Sequence, residues 1–289
     1  MKTGLKYKEI KMQLGIRLHD VENGSLEHRL KVAAGQGFAC AHIALGKVID
    51  GVSTKDEALT PGFAMYVKKA FARENIDPAV LGCYLNLCTP DENELQANIH
   101  RYMANIRFAS ILGAGVVGTE TGAPNTAYSF EPACHSEEAL KFFIKNLKTV
   151  VKYAEQFGVI LAIEPVFKHT ACNPKRARQV LDEVASDNLQ IIFDPVNLLD
   201  ITNYQHRDEI FAETIELLGK EVAVMHIKDF VVKDGDLVSC AAGTGEMDYT
   251  QILSWMKKEK PYIHATLEDT VPSNAVQARE HIQGLWDRL

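Results

Sequence analysis

Gly158-Val-Ile-Leu-Ala-Ile-Glu164 places five consecutive apolar residues between a glycine and a glutamate. An apolar run without alternation is what a strand buried on both faces requires, and such strands belong to parallel sheets covered by helices. Three later runs have the same form: LQIIFD (189–194) ends on Asp194, VAVMH (222–226) on His226 and IHATLE (263–268) on Glu268. The four terminal residues are 30, 32 and 42 positions apart, about the length of one strand and helix, so parallel strands would present them side by side. Working toward the N-terminus, MQLGIRL (12–18), ACAHIAL (39–45), AVLGCYLNL (79–87) and AGVVGTE (114–120) complete a set of eight. Segments of helical period lie between and after them, at 26–34, 62–74, 92–112, 136–157, 174–184, 206–218, 249–257 and 275–289. Helix punctuation supports the reading: Asn173-Pro174 offers an N-cap followed by an N1 proline, Ser136-Glu-Glu starts a helix, and Gly158 and Gly219 lie just past helix ends.

The order is (βα)8. No Pro/Gly/Ser-rich linker, charge block or internal repeat divides residues 1–289, so one α/β domain is expected, a single (β/α)8 TIM barrel. An open doubly wound sheet would carry a glycine fingerprint opening a helix after its first strand, whereas Gly35-Gln-Gly37 follows a helix. The formal charge of −7 disfavours a nucleic-acid-binding surface, and no cluster of Lys and Arg appears in the sequence. No 18-residue apolar stretch is present, and the charged opening Met1 to Lys8 leads into no apolar segment, so a cytoplasmic protein without membrane partners is expected. The six cysteines include no C-x-x-C pair and read as core residues.

A lone acid at a strand end is ordinarily a cap or loop residue. Four ligand types in succession, at the lip where α/β barrels keep their chemistry, instead make one site. Three converging carboxylates repel one another, and a divalent ion held by Glu164, Asp194, His226 and Glu268 is the natural resolution; this donor set suits Mn, Mg, Co, Fe or Zn. Lys228 shares strand parity with His226 and points into the same mouth, where it could meet a substrate oxygen. Glu120, His19 and Asn86 end other runs and are candidates to bind substrate. His42, inside an apolar run, reads as a satisfied core histidine. Asp229 reads as a turn cap, and the Gly243-Thr-Gly245 turn could offer N–H groups to a phosphate.

Ile163-Glu164-Pro165, Phe193-Asp-Pro-x-Asn197, His226-x-Lys-Asp229 and Leu267-Glu268 together make the chain resemble the xylose isomerase-like TIM-barrel superfamily, over nearly its whole length. The resemblance implies a metal-dependent isomerase or epimerase acting by proton transfer on a small sugar, ketose or polyol-derived carbonyl compound. It also implies Glu164 and Glu268 as the catalytic pair. An inosose-type dehydratase and a non-catalytic polyol-binding subunit are the alternatives, and self-association into a homo-oligomer is left open. Many relatives have histidine three residues after the aspartate; Asn197 stands there, able to bond a substrate hydroxyl but a weak metal ligand.

Overall fold

The computed structural model describes residues 10–289. Eight parallel strands close into a barrel: β1 (Gln13–Arg17), β2 (Cys40–Ile43), β3 (Asp77–Gly82), β4 (Val116–Glu120), β5 (Leu161–Glu164), β6 (Leu189–Phe193), β7 (Val222–Ile227) and β10 (His264–Leu267). Neighbours pair in chain order, and β1 against β10 closes the ring, Gln13 beside His264 and Ile16 beside Leu267. Around it run α1 (Leu26–Gly35), α3 (Pro61–Glu74), α4 (Glu92–Leu112), α5 (Glu137–Phe157), α6 (Pro174–Val184), α7 (Arg207–Leu218), α8 (Thr250–Glu259) and α9 (Ala275–Arg288), with the single-turn α2 (Leu45–Val48) after β2. The expected single barrel is the fold. Among the described residues no helix is long and apolar enough to cross a membrane.

Local chemistry explains where the helices begin. Ser25, Thr60, Asp91, Ser136 and Asn173 each accept a backbone N–H of the first turn, satisfying a donor the helix itself leaves orphaned. Helix α5 shows why they stay in place: Leu140, Phe143, Ile144, Leu147, Val151 and Ala154 recur at three- and four-residue intervals and are buried against the barrel. Each large apolar side chain so buried stabilises by about 1.5–3 kcal/mol.

Inside the ring, Cys40, Val80, Val116, Ala162, Ile192 and Val224 form a separate small core. A strand repeats its facing every two residues, so counting two or four positions onward from these gives the side chains that emerge at the C-terminal lip. They are His42, Tyr84, Glu120, Glu164, Asp194 and His226, with Lys228 two beyond. Small residues clear the space beneath: a Cβ on Gly118 would stand 2.8 Å from Ile192 Cδ1 and Val80 Cγ1, and one on Gly82 would stand 2.5 Å from His42 Nε2.

Two features depart from the sequence reading. The apolar run 79–87 is strand only as far as Gly82, because the Tyr102 hydroxyl then takes over both backbone groups of Leu85, accepting its N–H at 3.2 Å and donating to its carbonyl at 2.8 Å. Leu87 and Cys88 remain buried as loop residues. After β7 the chain forms an antiparallel hairpin, β8 (Asp229–Lys233) and β9 (Asp236–Cys240). Its turn is Asp234-Gly235, both with positive φ (53° and 82°), the combination that matches strand twist in a two-residue hairpin.

Candidate active site

The barrel mouth holds a cavity of about 690 Å³ whose lining includes Glu120, Glu164, Asn197, Lys228 and Glu268. Nδ1 of the buried His226 lies 3.2 Å from Glu164 Oε2 and 3.2 Å from Glu268 Oε1, two carboxylates of that lining. The ring is fully buried, and neither nitrogen has a properly directed hydrogen bond. Asp194 spends Oδ1 on the backbone N–H groups of Val196 and Asn197 and turns Oδ2 to Lys228 Nζ at 2.9 Å. Lys228 also reaches Glu268 Oε2 at 3.4 Å, and Arg17 Nη1 approaches the same oxygen at 3.5 Å.

Burial and neighbouring charge compete at each group. Burial pushes Asp194 up to about 6 against the pull of Lys228. Burial also disfavours charge on Glu268, yet His226, Lys228 and Arg17 outweigh it and hold that carboxyl well below the usual carboxylate range. His226 moves the other way, up to about 9, because Glu268 and Glu164 overcome the burial that would otherwise lower it. Lys228 is likewise raised despite burial, chiefly by Asp194. Lys228 and Arg17 thus offset part of the charge of the converging carboxylates.

Donor chemistry nonetheless fits a divalent ion. Ligand atoms of Glu164, Asp194 and His226 lie within 4.8 Å of one another, as do those of His42, His226 and Glu268. His226 belongs to both groups, its ring nitrogens buried and unsatisfied in an oxygen-rich pocket. All four expected ligands therefore meet at one place, and His42 joins them.

The remaining candidates divide. Asn197 Nδ2 donates to Glu164 Oε1 at 2.5 Å, so the amide fixes a carboxylate while still facing the cavity. Glu120 sits beside Glu164 in the β4–β5 register and accepts from the Tyr128 hydroxyl at 3.2 Å; burial, then the Glu164 charge, push it up to about 7. His19 lines the cavity. Asn86 is placed differently. Its amide donates to the carbonyls of Ala123 and Asn125 and accepts from the N–H groups of Cys88 and Ala123, so it ties two loops together and is absent from the cavity lining. It lies four residues beyond the end of β3, in the loop that follows the strand. The reading of His42 as a satisfied core residue is corrected: it is buried and lines the cavity, but neither ring nitrogen has a hydrogen-bond partner. Arg17 and Tyr84 also line the cavity and carried no sequence signal beyond their place at strand ends. The Gly243-Thr-Gly245 turn is spent internally, since the Asp229 carboxylate accepts the N–H groups of Gly243, Gly245 and Met247 at 2.8–3.0 Å.

A family model described as the xylose isomerase-like TIM barrel matches residues 30–286. The chain belongs to this family. Similar solved structures within it include 3-keto-D-glucoside 4-epimerase, YcjR, from E. coli, 14% identical with a TM-score of 0.72, over 96% of this chain and 99% of that one. IolI protein with a bound zinc atom is 20% identical with a TM-score of 0.72, over 96% and 99%. D-psicose 3-epimerase from Clostridium cellulolyticum H10, solved with D-tagatose, is 16% identical with a TM-score of 0.69, over 96% and 98%. At these identities the likeness is one of fold. No curated protein sequence matches the chain significantly.

Proposed function

We propose that the chain is a divalent-metal-dependent isomerase or epimerase that moves a proton at carbon next to the carbonyl of a small polyhydroxylated compound. The observation that carries this reading is the pair of carboxylates, Glu164 and Glu268, each 3.2 Å from the same His226 nitrogen, one from β5 and one from the strand next to β7 on the opposite side. Glu164, Asp194, His226 and Glu268 would hold the ion. When bound, a divalent ion polarises a carbonyl and a neighbouring hydroxyl, easing loss of the proton between them by several kcal/mol. Glu164 and Glu268 serve as base and acid on the two sides of the reacting carbon: one takes the proton, the other returns one to the opposite face, and the centre inverts. Asn197 keeps Glu164 oriented. The epimerases among the similar structures support this assignment by fold.

One observation favours a second reading. Glu120 is a third carboxyl in the cavity, raised to about 7 and therefore able to carry a proton near neutrality. Such a group could protonate a departing β-hydroxyl, making the enzyme a dehydratase of the inosose type. Turnover in deuterium oxide separates these outcomes. Epimerisation gives an isomeric product carrying solvent deuterium at the inverted carbon, and dehydration gives a product lighter by one water. Complete retention of the original hydrogen, or absence of bound metal by elemental analysis of protein purified without chelator, defeats the proton-transfer mechanism.

A further inference from the structure

Glu120 lines the cavity and is held by two side chains that do not. The loop after β4 brings Tyr128, whose hydroxyl donates to Glu120 Oε2 at 3.2 Å, and the loop after β5 brings His169, whose Nδ1 lies 3.7 Å from the same oxygen. The two rings stack, 5.2 Å between centroids and 22° between planes. That histidine nitrogen is buried and has no hydrogen-bond partner. Burial pushes the His169 imidazole down to about 4, so near neutrality it faces Glu120 as a neutral ring and not as a counter-ion. Every contact of this carboxyl with a donor among the described residues falls on Oε2, and Oε1 is left to the cavity.

The backbone around the pair is built to keep it there. Tyr128 has a φ of 50°, in the left-handed region that a bulky residue occupies only where its surroundings hold it. Asn75 and Ala185, which share this conformation, cap helices, and Asp234 turns the hairpin; Tyr128 does neither, and what its conformation achieves is the contact with Glu120. Ties between the two loops flank the pair along the chain. On one side the N–H of Thr170 bonds the Gly122 carbonyl at 3.1 Å and that of Ala171 the Thr121 hydroxyl at 3.1 Å. On the other, His135 Nε2 meets the Phe167 carbonyl at 2.7 Å. Phe167 donates its own N–H to the carbonyl of Asn197 at 2.7 Å, and the Asn197 amide fixes Glu164. One loop, 165–173, therefore braces two neighbouring cavity carboxyls.

We propose that Tyr128 and His169 are positioning residues: they pin Oε2 of Glu120 so that Oε1 meets a substrate hydroxyl in a fixed orientation beside Glu164. This rests on the proton-transfer reading above and adds to it a third carboxyl that is oriented before the substrate arrives. A glutamate side chain left to itself divides its time among several rotamers, and ordering it on binding costs affinity or rate. Here the order is supplied from outside the cavity, by groups the substrate never touches.

The test pairs crystal structures with rates, in Mn²⁺-supplemented protein assayed with D-psicose, D-tagatose and D-fructose. Tyr128→Phe deletes one oxygen and keeps the stacked ring, His169→Gln keeps a donor that His169→Leu removes, and Glu120→Ala removes the carboxyl they position. In Tyr128→Phe the Glu120 carboxyl leaves its wild-type position, the melting temperature stays within a few degrees of wild type, and kcat/KM falls about tenfold, as misplacement of a positioned group does. His169→Leu falls about threefold, and His169→Gln recovers most of that loss. In the Glu120→Ala background Tyr128→Phe costs nothing further, because a positioning residue has no effect once its target is gone. An unmoved Glu120 in the Tyr128→Phe structure, or the same loss of rate with and without Glu120, makes the pair a loop tie and overturns the proposal. If none of the three sugars is turned over or takes up solvent deuterium, the proton-transfer reading fails for these sugars and the structures alone decide the brace.

Discussion

Asp229 and His42 are both buried polar residues at the barrel lip, and the chain treats them in opposite ways. Asp229 receives four backbone N–H groups, from Phe230, Gly243, Gly245 and Met247, all at 2.8–3.0 Å. His42 receives none. One region is closed on itself and stabilises the hairpin and the loop beneath it; the other is left incomplete, at a cost to stability, where a ligand can finish it. Sealed polar groups report on folding and unsealed ones on function.

The largest effect should come from the unsealed side. Replacing Glu164 or Glu268 with Gln keeps size and removes a base, so turnover is expected to fall roughly 10²–10⁴-fold while thermal melting stays within a few degrees of wild type. A matching collapse of melting temperature would mean these carboxylates are structural, and the contrast would break. Asp229→Ala is the reciprocal case: it strands three loop N–H groups and one hairpin N–H, with an expected loss of about 3 kcal/mol, or roughly 6–12 °C in melting. An unchanged melt would show that the turn does not depend on its anion.

Lys228→Met sharpens the comparison because Lys228 neutralises two of the expected ligands. Removing that ammonium should raise affinity for Mn²⁺ or Zn²⁺ about tenfold in calorimetry, through lost charge repulsion. Weaker metal binding would show that Lys228 holds Asp194 and Glu268 in place for the ion. The smallest effect concerns Glu120. Its folded-state value of about 7 lies above the ordinary carboxylate value of 4.5, so between those pH values the folded protein holds a proton that the unfolded chain releases. Stability contributed by this group is therefore present at low pH and is lost as pH rises toward 7. In metal-stripped protein, Glu120→Gln should flatten that decline, seen as a relative gain of about 2 °C at pH 7 over pH 5. Parallel melting curves for the two proteins would remove the effect.

Much of this architecture was legible in the sequence because it rests on local pattern. Continuous apolar runs and capping residues are properties of neighbours along the chain, and two-residue parity carries a lip position such as Glu164 or Glu120 directly into the cavity. Asn86 was misplaced because the buried loop after Gly82 is as apolar as a strand. The β8–β9 hairpin was legible but passed over: Asp234-Gly235 between Val231-Val232 and Leu237-Val238 is a two-residue turn signal. His42 was not legible. Its type and setting are those of a core histidine, and only the three-dimensional accounting of its two nitrogens distinguishes it. Arg17 was hidden for a related reason, since its partners Glu268 and Asp269 lie some 250 residues away.

The ring is closed by β1 against β10, and Glu268 follows directly on that last strand. During synthesis, therefore, Arg17 and His19 emerge with the first barrel strand and Glu268 just after the last, with the other elements of the mouth in between. A nascent barrel lacking the final strand leaves β1 and β7 as open edges and lacks Glu268 and Asp269, two of the carboxylates that Arg17 meets. Capture of ligand thus becomes possible only when the last strand has docked, so ligand binding could serve as an indicator of completed assembly.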